Sequence, residues 1–157
     1  MASEALLTER ELAAWGERVG AEVEVPAVFA LNGDLGAGKS TLARAIAHGA
    51  GVEGSVPSPT FNLLFRYETP RGVVHHLDLY RLERQDEVWE LGWSELGAGP
   101  DLVLIEWAEN AETLLPRPRW EVTLEDVGDP ERRRASNSAH TGRSAPQLPA
   151  AAAARLE

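Results

Sequence analysis

The residues with the clearest chemistry form a glycine-rich stretch that matches the pattern G-x-x-x-x-G-K-[ST]: Gly33, Asp34, Leu35, Gly36, Ala37, Gly38, Lys39 and Ser40. Glycines let backbone N–H groups close around phosphate oxygens, because a Cβ atom would block that curvature. The lysine can reach the β- and γ-phosphates of a nucleoside triphosphate, and the serine hydroxyl can bind Mg²⁺. The pattern therefore predicts a site for a nucleoside triphosphate.

The flanks of this stretch have the composition that such a site needs. The apolar run 28–31 precedes it and favours a buried strand, while the run 41–47 follows it and favours a helix. A strand, a glycine-rich loop and a helix in that order give the pattern its physical meaning, since the helix N-terminus adds partial positive charge. The alternative, a glycine-rich turn that binds nothing, does not explain these flanks.

Two carboxylates and one tryptophan extend this candidate site. Asp78 and Glu106 end apolar strand-like runs, and ligands of open α/β sheets bind at the carboxyl ends of the strands. Either carboxylate could hold Mg²⁺, directly or through water. The alternative is a strand-end acid that caps a helix or pairs with Arg81. Trp107 directly follows Glu106 and is therefore expected near the nucleotide.

A threonine in a proline-rich loop is a further candidate. Thr60 follows two prolines in the stretch 56–60, which cannot be regular structure because proline fixes φ and lacks a donor. A hydroxyl there could contact the γ-phosphate, as switch loops do, or it could belong to a simple turn. The sequence has no Asn-Lys-x-Asp element for reading guanine, which favours ATP as the nucleotide.

Composition and charge limit the classes of function. The chain has 157 residues, 43% hydrophobic and 25% charged, as expected of one soluble domain. It has no cysteine, which excludes disulfides and thiolate metal sites. No apolar run is long enough to span a membrane, and no signal peptide is evident, so we expect a cytoplasmic protein without a membrane partner. The net charge of −10 argues against DNA binding, because phosphate contacts need Lys and Arg.

The remaining pattern predicts further elements and a boundary. A capping box at 8–11 starts a helix, and the runs 61–67 and 73–78 form a hairpin in which one of His75 and His76 faces the interior and the other is exposed. We expect helices near 86–96 and 108–115 and strands at 101–106 and 120–124. The chain after Gly128 offers little to bury. The sequence therefore predicts a P-loop ATPase domain at 1–128 and a flexible tail at 129–157.

Four motifs occur along the chain in this order: 33–41, 58–61, 76–82 and 105–107. Together they resemble the TsaE (YjeE) family, the small bacterial ATPases of tRNA threonylcarbamoyladenosine biosynthesis. The resemblance covers about residues 5–128. Together with the strand–loop–helix order it implies an α/β fold, a P-loop NTPase-like three-layer sandwich with a central mixed, mainly parallel sheet and a β-hairpin insertion. Ser40 replaces the usual threonine of the family, and Ala108 stands where proline often follows.

The resemblance also implies roles and partners. The roles are triphosphate binding by the glycines and Lys39, Mg²⁺ binding by Ser40 and Glu106, α-phosphate support by Thr41, a γ-phosphate contact by Thr60, organisation of magnesium or water by Asp78, and a nucleotide border at Trp107. The implied ATPase is weak alone and works with two protein partners that form the threonylcarbamoyl-transferase complex, which modifies adenosine 37. The tRNA is reached indirectly.

Two alternatives belong to other classes. A small-molecule P-loop kinase would need an acceptor pocket and an arginine-rich lid, but the dense arginine cluster 132–134 lies in the expected tail. A nucleotide-dependent binding module without significant turnover would use the same loop.

Overall fold

A computed structural model describes residues 3–34, 36–54, 56, 64–92, 96, 99–116, 118–140 and 145–149. Its α-helices are α1 (Glu9–Glu22) and α2 (Lys39–Gly49). Its strands are β1 (Ser3–Thr8), β2 (Ala27–Gly33), β3 (Leu64–Thr69), β4 (Gly72–Asp78), β5 (Leu102–Glu106), β6 (Arg119–Asp126) and β7 (Arg132–His140). Two 3₁₀ helices span Gln85–Leu91 and Ala108–Leu114.

The strands form one mixed sheet in the order β1-β7-β6-β2-β5-β4-β3. The central strands β6, β2, β5 and β4 pair in parallel, whereas β3 and β7 run antiparallel to their neighbours. Strands β3 and β4 are joined as a hairpin at one edge. The expected mixed, mainly parallel sheet with a hairpin is confirmed.

Strand β2 shows that the sheet is covered on both faces, because its side chains alternate between two hydrophobic cores. Phe29 and Leu31 join the core under α1 and α2, while Val28 and Ala30 join a core under the two 3₁₀ helices. A strand buried on both faces reads as a continuous apolar run, as this one does. The sheet therefore lies between two layers of helices.

The helices α1 and α2 pack closely together on one face of the sheet. The expected capping box is present: the Thr8 hydroxyl accepts from the Glu11 amide at 3.1 Å, and the Glu11 carboxylate accepts from the Thr8 amide at 3.0 Å. Gly20 lies inside α1, where an added Cβ would be 2.0 Å from the Ile46 carbonyl oxygen. Glycine here permits close helix approach rather than ending the helix.

The expectation of a tail after Gly128 was wrong for β7. This strand lies inside the sheet, where it pairs with β1 on one side and β6 on the other. Farther on, the Trp15 indole donates to the Gln147 carbonyl at 2.8 Å, and Leu148 is buried. The sequence signal was weak because β7 buries mainly Ala135 and Asn137, neither of which is strongly hydrophobic.

The neighbouring histidines of β4 also differ from expectation. His75 and His76 point to opposite faces of the sheet, yet both are buried, with 5% and 0% of their surface exposed. One of them was expected to be exposed, which assumed that one face of β4 meets solvent. Strand β4 is instead covered on both faces.

In the described residues, no helix is long and apolar enough to cross a membrane.

Candidate nucleotide site

The glycine-rich loop connects the end of β2 to the start of α2, as its sequence predicts. Gly33 has φ of 140°, and a Cβ there would lie 2.3 Å from the Leu124 carbonyl oxygen of β6. Gly38 caps α2 with φ of 108°, in the left-handed region that favours glycine. The loop therefore brings backbone N–H groups and a helix N-terminus to the carboxyl edge of the sheet, where an anion is favoured. Leu35 lies outside the described residues.

Lys39 is buried inside this loop rather than extended into solvent. Its Nζ atom donates to the carbonyl oxygens of Gly33 at 2.5 Å and Asp34 at 2.7 Å, and only 4% of the residue is exposed. The same atom lies 4.0 Å from the centre of the Trp107 ring, a cation–π distance. Burial lowers the pKa of Lys39 from its ordinary value, while nearby carboxylates, Glu109 foremost, oppose that shift.

Glu106 links the helix to the neighbouring strand through its two carboxylate oxygens. The Ser40 hydroxyl donates to Oε1 at 2.8 Å, and Nε2 of His76 lies 2.5 Å from Oε2. Only 2% of Glu106 is exposed. A buried carboxylate needs such partners, because burying an unpaired charge is strongly unfavourable. The predicted pair Ser40 and Glu106 is therefore in direct contact.

Strand register places the second carboxylate beside the first. Glu106 of β5 is paired with Leu31 of β2 on one side and with Asp78 of β4 on the other. Asp78 accepts from the Tyr80 amide at 2.9 Å. Burial raises the pKa of Asp78, and Glu106 adds to the rise, while the Tyr80 hydrogen bond, His76 and Lys39 oppose it. Both predicted carboxylates thus meet at the carboxyl edge of the sheet.

Trp107 adopts an unusual backbone conformation for a residue other than glycine. Its φ of 56° lies in the left-handed region, where such residues concentrate at functional sites. Its amide donates to the Leu31 carbonyl at 3.1 Å, and its ring centre is 4.9 Å from that of Tyr80. The ring therefore forms one wall beside Lys39.

These residues line one open cleft of about 380 Å³, a volume within the range of small-molecule sites. Its lining contains Gly36, Gly38, Lys39, Ser40, Thr41, Asp78, Tyr80, Arg81, Glu106 and Trp107. The structure brings together most of the residues singled out in the sequence. Asp34 and Ala37 line a neighbouring cleft instead. Thr60 lies outside the described residues, so its role stays a prediction.

Sequence reasoning missed Arg133, because the arginine run was assigned to a tail. In β7 its side chain lies against the loop: a Cβ on Gly38 would be 2.8 Å from the Arg133 Nη1 atom. Together with Asp34 and Ala37 it lines the neighbouring cleft of about 170 Å³. Alternation in the run 132–140 could have suggested a strand, but no strongly apolar residue marks its buried face.

Two oxygen donors at the cleft are of the kind that Mg²⁺ takes when it also binds substrate phosphates. Among the described residues, no group of three or more His, Cys, Asp or Glu side chains could hold a metal ion. Mg²⁺ usually keeps waters and takes one or two protein oxygens plus substrate phosphates. The hydroxyl of Ser40 and the carboxylate of Glu106 supply that kind of donor set.

The fold and this cleft define a P-loop NTPase-like α/β protein. The crystal structure of YdiB from Bacillus subtilis matches with a TM-score of 0.73 and 28% sequence identity, covering 90% of this chain and 88% of that one. The family model described as threonylcarbamoyl adenosine biosynthesis protein TsaE matches residues 6–135.

Two sequence relatives agree with this match. The tRNA threonylcarbamoyladenosine biosynthesis protein TsaE of Rickettsia bellii is 41% identical over 128 residues, 81% of this chain and 88% of that protein. The protein of the same name from Treponema pallidum is 33% identical over 123 residues, 78% of this chain and 90% of that protein. This chain therefore belongs to the TsaE family of tRNA threonylcarbamoyladenosine biosynthesis.

Proposed function

We propose that this protein binds ATP with Mg²⁺, hydrolyses it weakly alone, and serves tRNA threonylcarbamoylation by acting on the threonylcarbamoyl-transferase complex. The observation that carries the proposal is the contact of Ser40 with Glu106 at 2.8 Å, in the same cleft as Lys39. A hydroxyl, a carboxylate and a lysine at a glycine-rich loop are the parts that position phosphoryl groups and their metal.

Each side chain has a task that follows from its position. Lys39 would exchange the loop carbonyls for β- and γ-phosphate oxygens, a short displacement because its Nζ atom already lies inside the loop. Ser40 and Glu106 would hold Mg²⁺, which neutralises phosphate charge when bound. Asp78, beside Glu106 in register, would orient water near the γ-phosphate. Trp107 would shield Lys39 from solvent.

Arg133 supports the same nucleotide from the other side of the loop. Its guanidinium lies against Gly38, and its buried Nε atom has no hydrogen-bond partner among the described residues. An unsatisfied cationic donor beside a phosphate-binding loop adds favourable potential for an anion. We expect it to strengthen triphosphate binding without touching the hydrolysed bond.

The open cleft is consistent with dependence on partners. Tyr80, half exposed at 51%, stands at the edge of the site beside Trp107. An aromatic side chain left exposed next to a reaction site can complete its burial against another protein. We propose two protein partners, those of the transferase complex, and an indirect contact with tRNA, since the net charge of −10 disfavours direct binding of phosphates.

The test is an ATPase assay of the purified protein, alone and with the transferase complex. We expect low turnover alone, a rise with the complex, and a loss of at least about tenfold in Lys39→Ala and Glu106→Ala, the scale of removing a preorganised charge. The control is Glu125→Ala, an exposed carboxylate on β6 that should leave turnover unchanged. Wild-type turnover in both site variants would contradict the site assignment, and ATP binding without turnover under any condition would favour a binding module.

A further inference from the structure

A histidine lies behind the Ser40–Glu106 pair and has no part in the function proposed so far. His76 is fully buried on β4, and its Nε2 atom is 2.5 Å from Oε2 of Glu106. Glu106 therefore accepts from Ser40 with one oxygen and meets His76 with the other. Both carboxylate oxygens are therefore held, and the group cannot rotate about its Cγ–Cδ bond without losing both contacts.

The direction of the hydrogen bond follows from the chemistry of the carboxylate. An ionised carboxylate can only accept, so Nε2 of His76 carries the proton that is donated to Glu106. The other ring nitrogen, Nδ1, has no hydrogen-bond partner among the described residues. His76 consequently directs its Nε2 proton at Glu106, and within the described part of the chain no second polar contact holds the ring.

The adjacent His75 provides an internal comparison. It is also buried, its Nδ1 atom also lacks a described partner, and its Nε2 atom lies 2.9 Å from Oδ2 of Asp101. Asp101 precedes β5, whereas Glu106 ends it, so the two pairs lie toward opposite ends of the strand. The same chemistry thus occurs twice, once at the candidate site and once away from it.

We propose that His76 is a positioning residue. Through its contact with Oε2 it fixes the Glu106 carboxylate in one orientation, in which Oε1 meets Ser40 and the group can bind a nucleotide-bound cation. This inference rests on the proposed function, because it assigns a purpose to the orientation of a cation ligand. Metal-ligating groups are generally oriented by such outer contacts, and losing one typically weakens metal affinity about 10- to 100-fold.

The test compares two amide substitutions of the same histidine. In His76→Gln the amide nitrogen can occupy the place of Nε2 and keep the donor to Glu106, whereas in His76→Asn it takes the place of Nδ1 and cannot reach. The measurement is the Mg²⁺ concentration that half-saturates the Mg²⁺-dependent binding of ATP. We expect the midpoint to rise at least about tenfold in His76→Asn and to stay within about threefold in His76→Gln.

The matched control is His75→Asn, which removes a buried histidine donor away from the cleft. It should lower thermal stability and leave the Mg²⁺ midpoint unchanged. Equal midpoints in His76→Asn and wild type would overturn the inference, as would an equal rise in His76→Asn and His76→Gln, because then the donor to Glu106 is not what matters.

A second measurement needs no metal or nucleotide. His76 and Ser40 contact opposite oxygens of Glu106, so we expect their effects on urea unfolding to be coupled through that carboxylate. A double-mutant cycle of His76→Asn and Ser40→Ala should be non-additive, and additive effects would overturn the positioning role. If wild-type protein bound ATP without any Mg²⁺ dependence, the proposed function would fail, and this cycle would still decide whether His76 orients Glu106.

Discussion

The two halves of the sheet differ in how their strands are covered. Strands β2, β5 and β4 contribute to hydrophobic cores on both faces, whereas β6 buries Trp120, Val122 and Leu124 on the helix side and turns Glu121 and Thr123 the other way. In the first half (β2, β5 and β4), Glu106 ends β5, Asp78 ends β4, and the loop after β2 leads to Lys39 at the start of α2. The second half (β6, β7 and β1) supports the flank of the loop. The two carboxylates of the candidate site are thus held by the half of the sheet that is buried on both sides.

This contrast explains why the two halves were unequally visible in the sequence. A strand covered on both faces is largely apolar, so residues 28–31 and 102–105 stand out, and a carboxylate directly after one of them is conspicuous. A strand covered on one face alternates, and alternation is faint when the buried positions are Ala135 and Asn137.

The largest effect is expected when β7 is removed from the second half of the sheet. Truncation after Gly128 should abolish cooperative folding, because it leaves β1 without a partner strand and exposes the backbone donors and acceptors of β6. Circular dichroism during heating measures this, with a chain ending at Pro149 as the control. A truncated chain that melts cooperatively near the wild-type temperature would show that the second half is dispensable.

The second prediction compares one alanine substitution in each half of the sheet, with a smaller expected effect than the truncation. Ile105→Ala in β5, at a position with no exposed surface, should lower the free energy of unfolding by about 2–5 kcal/mol, because it leaves a cavity. Thr123→Ala on the less covered face of β6 should change it by no more than about 0.5 kcal/mol. Urea denaturation measures both, and similar losses would mean that the two halves are equally buried.

The third prediction concerns the charge at the site. Burial raises the pKa of Asp78, so the folded protein binds that proton more tightly than the unfolded chain, and stability falls as pH rises through the folded value. Asp78→Asn keeps the acceptor for the Tyr80 amide and removes the charge. Without nucleotide it should raise the melting temperature by about 1–3 °C at pH 7.

That gain should shrink as the pH falls through the raised pKa of Asp78 in the folded protein, and it should vanish below the ordinary aspartate pKa of about 4, where both states are protonated. Glu125→Gln, which neutralises an exposed carboxylate of the other half, serves as the control and should show no such trend. A gain for Asp78→Asn that is independent of pH would contradict the electrostatic explanation.

The last prediction concerns an ion pair of the second half, where only a small effect is expected. Arg134 and Glu125 approach to 3.8 Å, and about half of each side chain is exposed. Water and salt screen such pairs, so Arg134→Ala should change the free energy of unfolding by less than about 1 kcal/mol. A larger loss in urea denaturation would show that this face is covered in solution.

The sequence allowed the loop, the capping box, the hairpin and the strand ending in Glu106 to be predicted, because each has a local signature in residue type and spacing. It did not reveal β7, the contact of Arg133 with Gly38, or the burial of both His75 and His76. These depend on which segments pack against each other across the sheet, and no local pattern encodes that choice. The pairing of Ser40 with Glu106 required both kinds of information.

The central claim is that Lys39, Ser40 and Glu106 form one site for ATP and Mg²⁺. Calorimetric titration with ATP, in Mg²⁺ and in EDTA, tests it most directly in wild-type protein and in Glu106→Gln. We predict that Mg²⁺ strengthens ATP binding to the wild type by at least about tenfold, which is the scale on which metal ligands and their contacts affect metal affinity. In Glu106→Gln this gain should be lost, while the weaker binding measured in EDTA should remain. Equal Mg²⁺ dependence in the two proteins would contradict the account.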